Sequence, residues 1–519
     1  MSKIITSANQ QNDALFVLIK SLTKSEKRQF NLYVGRLGGN IDAKFFSLFK
    51  FLEKLKIYDE KVIIGSGIVS KQQLSNLKAH LYKQILISLR LNPAHKNVRI
   101  QIREQLDFAT VLYQKGLYKQ SLKLLEKAKN MALDNEEKNI AYEIVELEKV
   151  IETQYITRSL SNRADQLSVQ AKELSQQNVI ASKLSNLSLQ LYSHLLQNGY
   201  VKNQKEVEFI QKYFNDRMPK YDFKTLGFRE KLWLYKAHLW YSFLIQDFLL
   251  SYKYASKCVH LFNSPKLINI HPVFYLKSKN YLLEASFLVQ KTSTFKAELV
   301  AFETQIENQE IPLNTNTELL IFMYLYSNKL HLHFLEGTFD EGEYLVAIIN
   351  DKIEKYKNRL DNHYIVLLHY KIACLYFGMG KNKLCILYLQ KIIRSKNLSA
   401  AEDLQCFARI LNLIAHYECG LDYDLERQFV DTYKFLLKME NLQEVQKVFL
   451  TSIRALNDVF PHEIKNEFKK IHKKLKKFEN HPYEKRAFLY LDILSWLESK
   501  IQNKPISIII KEKANLFAK

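Results

Sequence analysis

Residues 106–132 read LDFATVLYQKGLYKQSLKLLEKAKNMA. Leu106, Ala109, Leu112 and Tyr113 recur three or four positions apart, so on a helix they share one face. Gly116 follows, and glycine takes the left-handed conformation of a helix end at little cost. Beyond it Tyr118, Leu122, Leu125 and Ala128 form a second apolar stripe, flanked by Lys119, Lys123, Glu126, Lys127 and Lys129. The spacing predicts a helical hairpin with two apolar faces. One hairpin cannot bury both, so neighbours of the same kind must stack against it.

The rest of the chain supplies such neighbours. A large side chain stands four residues before a glycine at Leu112–Gly116, Leu195–Gly199, His333–Gly337, Tyr376–Gly380 and His416–Gly420. The glycines are 83, 138, 43 and 40 residues apart. A unit of forty-odd residues fits these intervals if two further turns fall near Asp247 and Gln290. About eight hairpins result. Pro219, Pro265, Pro272, Pro312 and Pro461 all fall between expected helices, where a missing amide costs little.

The 106–132 stretch resembles a tetratricopeptide repeat, with Ala109, Leu112, Gly116, Tyr118, Ser121, Leu125 and Ala128 in the family's small, large and glycine positions. Ala373, Tyr376, Gly380, Asn382, Cys385, Leu389 and Ile392 form a second, looser copy. The resemblance implies a right-handed α-solenoid whose groove holds a protein or peptide. The unit here is longer than the family's period of roughly 34 residues, so the expected fold is all-α and tetratricopeptide-like.

Three segments emerge. Residues 1–95 form a basic helical N-terminal domain, 96–460 the repeat body, and 461–519 a lysine-rich helical cap. The 519-residue chain has 76 Lys and Arg against 54 Asp and Glu, a net charge of +22. Residues 1–95 contribute 15 against 6 and residues 462–519 contribute 14 against 7, so the body is nearly balanced. In the N-terminal domain, Thr23-x-x-Glu26 has the form of a capping box. Ser70-x-x-Gln73 precedes a helix in the same way. Val62-Ile63-Ile64 reads as a short extended piece or loop, and Gly38-Gly39 as a break. Lys20, Lys24, Lys27 and Arg28 make a basic patch. In the cap, Ile464, Phe468, Ile471, Leu475 and Phe478 form an apolar seam under Lys469, Lys470, Lys473, Lys474, Lys476 and Lys477. That lysine face is either a solvated end surface or an anion contact. A last helix is expected over about 484–502, followed by an apolar tail at Ile506–Ile510.

Enzymatic motifs are lacking. Gly65-x-Gly67 has no third glycine for a phosphate loop, and none of the 14 histidines stands in a metal-binding spacing. His331, His333 and His363 read as ordinary surface or core histidines. No cofactor, metal or catalytic residue is expected. Five scattered cysteines, no secretory leader and no membrane-length apolar run fit a reduced, cytoplasmic protein. The expected function is a non-enzymatic scaffold that binds a protein or peptide. The alternative is a regulator whose basic N-terminal unit contacts nucleic acid, although the connection between 23–34 and 43–55 is too long for a helix-turn-helix.

Overall fold

A computed structural model describes residues 13–36, 44–92, 97–154, 162–394, 402–420, 422–437, 444–456, 463–485, 488 and 492–517. The described residues form twenty-five α-helices and no strand. Helices dominate because glycine and proline are scarce, at 13 and 8 residues. No helix among the described residues is long and apolar enough to cross a membrane. The chain divides into two compact units, Met1–Lys172 and Glu173–Lys519.

The first unit opens with α1 (Ala14–Ser21), α2 (Lys24–Arg36), α3 (Lys44–Lys54), α4 (Glu60–Gly65) and α5 (Lys71–Arg90). These five share one core that includes Ile19, Phe30, Phe49, Ile63 and Leu81. The capping box forms: Glu26 accepts from the Thr23 amide at 2.7 Å, and the Thr23 hydroxyl accepts from the Glu26 amide at 3.2 Å. Two local expectations are corrected. Val62–Ile64 is helical, because the Asp59 carboxylate caps α4 by accepting from Lys61 N at 2.8 Å. Ser70 sits at the cap of α5, but its hydroxyl makes no capping bond. The Gly38–Gly39 break, Pro461, Leu489 and Leu491 lie outside the described residues.

The hairpin quoted first is α6 (Val98–Gln114) with α7 (Tyr118–Asp134), followed by α8 (Lys138–Gln154). The two helices of the hairpin pack together, and α7 packs on α8. Gly116 has φ +73°, and Leu117 N donates to Leu112 O at 3.0 Å, the long bond of a glycine-terminated helix. Ser121 is buried and donates to Ala109 O at 2.8 Å, tying one helix to the other.

Helix α9 (Arg163–Asn198) spans the division between units. The second unit continues with α10 (Gln204–Arg217), α11 (Phe228–Leu244), α12 (Phe248–His260), α13 (Pro265–Ile270), α14 (Pro272–Leu288) and α15 (Thr292–Glu307). Then come α16 (Thr315–Glu336), α17 (Tyr344–Tyr356), α18 (Asn362–Gly378), α19 (Asn382–Ile393), α20 (Glu402–Glu418) and α21 (Asp422–Leu437). The last are α22 (Glu444–Leu456), α23 (Ile464–Lys476), α24 (Ile493–Gln502) and α25 (Ile506–Phe517).

Packing follows chain order: α11 on α12, α12 on α14, α14 on α16, α16 on α18, α18 on α19 and α19 on α20. The turn of the first hairpin recurs. Gln246, Gln290 and Gly380 have φ of +59°, +56° and +73°, each two residues past a helix end. The next amide then bonds back, Asp247 to Ser242 O, Lys291 to Ser286 O and Lys381 to Tyr376 O, at 2.9–3.2 Å. The turns expected near Asp247 and Gln290 are therefore present, with glutamine where glycine stands elsewhere.

The end of the chain departs from expectation. The final long helix begins at Ile493, and the apolar tail is helical. Ile509 is buried, and α25 packs against α24 and α16. Burial on two helices outweighs the weak helix preference of four isoleucines in five residues.

Candidate functional site

The second unit holds an open cavity of about 1050 Å³, at the upper end of the roughly 300–1,000 Å³ usual for ligand sites. Its walls come from the C-terminal part of α9, from the first helices α11, α14, α16 and α18 of successive pairs, and from the start of α20. Trp233, Lys236, Trp240 and Phe243 of α11 lie along one face at steps of three or four, and Lys277, Asn280, Tyr281 and Glu284 of α14 share one face at i, i+3, i+4 and i+7. Helix α16 adds Tyr324, Ser327, Asn328 and His331, and α18 adds Tyr364, Leu367 and Lys371.

Aromatic rings make most of one wall. Trp240 lies 4.6 Å from Tyr192 and 5.2 Å from Tyr281, centroid to centroid. Phe287 stacks on His331 at 4.0 Å with the planes 11° apart. Asn328 donates to Asn280 Oδ1 at 3.0 Å and to Tyr324 O at 2.7 Å, which fixes α14 against α16 across the floor.

Charged groups divide between two parts of the cavity. Lys236 is only 9% exposed, and its ammonium lies 4.3 Å above the Trp233 ring and 5.7 Å from that of Phe274. Burial, and then repulsion from Lys277, push its pKa down to about 8. Neither lysine forms an ion pair with a described residue. About two helical turns along α14 stands Glu284, whose carboxyl is raised by burial and drawn back by Lys371. Lys371 is buried and donates to the Ser327 hydroxyl; burial lowers its pKa and Glu284 opposes the shift. Burial, with Lys371 nearby, holds His331 neutral, and its Nδ1 has no hydrogen-bond partner among the described residues. The His363 Nδ1, also on the lining, has none either. Burial raises the hydroxyl pKa values of Tyr192, Tyr281, Tyr324 and Tyr364, so all four stay neutral donors.

The rim joins segments far apart in the chain. Gln246 Nε2 donates to Val201 O at 2.9 Å and to Tyr483 O at 3.1 Å, and the Tyr483 hydroxyl donates to Gln204 Oε1 at 3.0 Å. Glu484 accepts from the first amides of α22, Glu444 N and Val445 N, both at 3.2 Å. A carboxylate is the favoured partner for such a helix start.

The basic residues expected at the ends lie elsewhere. In the first unit Lys20 Nζ donates to Glu53 O at 2.6 Å and Lys27 lies 3.3 Å from the Glu53 carboxylate. Those two therefore serve the last turn of α3. Lys24 and Arg28 are exposed. Lys469, Lys470, Lys473, Lys474, Lys476 and Lys477 are all exposed on the outer side of α23 and its end, over buried Phe468, Ile471 and Leu475. Lys470 pairs with Glu467 on the same helix. None of the six lines the cavity.

Sequence reasoning missed the cavity. The available signal was a lysine inside a mostly apolar first helix, as in FREKLWLYKAHLWYSFL and NHYIVLLHYKIACLYFG. His331 and His363, read as ordinary histidines, both reach the lining. Among the described residues no group of histidine, cysteine and carboxylate side chains is placed to hold a metal. No protein family model, curated protein or solved structure matches this chain.

Proposed function

We propose that the helix pairs from residue 98 onward are tetratricopeptide-like repeats of a right-handed α-solenoid, and that the protein is a non-enzymatic scaffold receiving a peptide segment of a partner. The observation that carries this reading is the cavity lined by the first helix of successive pairs, with aromatic walls and a few converging polar groups. The repeated left-handed turns support a repeating unit. A wall that is already shaped before binding leaves only the ligand to be ordered. A nucleic-acid role for the N-terminal patch is less supported, since two of its four cations already serve Glu53.

The test is a random dodecapeptide phage library panned against the full chain. Enriched peptides carrying a benzophenone are then crosslinked and mapped by mass spectrometry. Crosslinks are expected on Leu189, Tyr281 or Leu367, which line the cavity. Failure to enrich any peptide, or crosslinks confined to other surfaces, would remove the peptide-binding reading.

A further inference from the structure

Lys236 and Lys277 present an unusual arrangement. They extend from adjacent first helices, α11 and α14, into one cavity, and neither has a carboxylate partner among the described residues. Two other buried lysines have carboxylates, Lys129 at 2.6 Å from Glu148 and Lys279 at 2.8 Å from Glu298, and buried Lys371 has the Ser327 hydroxyl and the charge of Glu284. An ammonium that is nine-tenths buried, uncompensated and next to a second ammonium is costly. The Trp233 face offsets part of that cost, and no described residue gives the ammonium a hydrogen bond or an ion pair. Glu284 cannot neutralise the pair: it stands seven residues from Lys277 on the same helix, about 10 Å along the axis, beside Lys371. One turn farther along the same two helices stand Trp240 and Tyr281, 5.2 Å apart, an apolar surface beside the two ammoniums.

We infer that this end of the cavity recognises an acidic peptide, with a carboxylate of the bound segment between Lys236 and Lys277 and a neighbouring large apolar side chain on the Trp240–Tyr281 wall. The carboxylate supplies the missing counter-charge, and it gains strength from the low-dielectric surroundings. The inference rests on the peptide-binding reading above and specifies its ligand class.

The peptides enriched from the dodecapeptide library decide it. They are expected to carry aspartate or glutamate beside an aromatic or leucine residue, in excess over the unselected library. In fluorescence anisotropy titrations with the full chain, Lys236→Met with Lys277→Met should weaken their binding by about 10- to 100-fold, with crosslinks at the same lining residues. Lys277→Gln alone, at a half-buried position, should give a smaller loss in the same direction and serves if the double variant does not fold. Peptides that crosslink to the cavity but are neutral or basic, or that bind the lysine variants within twofold of the original chain, would overturn the acidic assignment while leaving the cavity a peptide site. Absence of any cavity crosslink would overturn both.

Discussion

At the scale of single residues, Lys236 shows how a buried ammonium without a counter-ion costs stability. Its pKa is pushed down to about 8 from the ordinary 10.5, so below pH 8 the folded chain carries a charge it disfavours. Between about pH 8 and 10.5 the unfolded chain holds more protons than the folded one, and stability rises with pH across that window. The full penalty corresponds to about 3 kcal/mol, and the Trp233 contact returns roughly 1–2 kcal/mol. Lys236→Met keeps most of the length of the side chain and removes the charge. It should raise stability at pH 7 by roughly 1–2 kcal/mol, and its advantage should shrink as pH passes from 8 to 10.5. Urea midpoints at pH 7 and pH 10 measure this. A variant less stable than the original chain at pH 7, with helix content intact, would show that the ammonium has a counter-ion after all.

At the scale of elements, the turns explain how much was legible. Gly116 and Gly380 announce a left-handed residue because glycine bears no penalty there. Gln246 and Gln290 take the same conformation with a side chain, so composition hides those turns, and only the spacing of the glycines around them placed the hairpins. The cavity was not legible for a related reason. Helices α11, α14, α16 and α18 are apolar on both sides, because one face meets the core and the other carries the aromatic lining. Periodicity separates a wet face from a dry one; it cannot separate two dry faces. The lysine stripe on α23 was legible because one of its faces is wet. Some close approaches also emerge only from packing. A Cβ on Gly378, at the end of α18, would overlap the buried Phe339 ring. Gly378→Ala should therefore cost about 1–3 kcal/mol through overpacking, and adding Phe339→Leu should restore part of it. Thermal melts of the single and double variants test this; a single variant as stable as the original chain would mean that Phe339 moves aside freely.

At the scale of the whole second unit, the decisive feature is that its last segment returns to its first. A stack in which each pair touches only its neighbours loosens from its ends, since terminal pairs have half the contacts. Here Tyr483 bonds Gln204 and Gln246, across 279 and 237 residues, and Lys485 lies 5.3 Å from the Phe248 ring. Helix α25 packs on α16, and Gly337 leaves room for it: a Cβ there would lie 2.7 Å from Ser507 O. The terminal helices are thus tied to the early and middle ones, and the rim of the cavity is part of the tie. Native-state hydrogen exchange should find α10 and α24 protected nearly as well as α14 and α16. Tyr483→Ala removes the hydroxyl bond and the ring from the rim. It should lower protection in α10 and α24 together, by about 1–3 kcal/mol, because loosening one end releases the other. Loss confined to residues 481–485 would mean that the closing bonds decorate the rim without coupling its two sides, and the cavity would then owe its shape to neighbour packing alone.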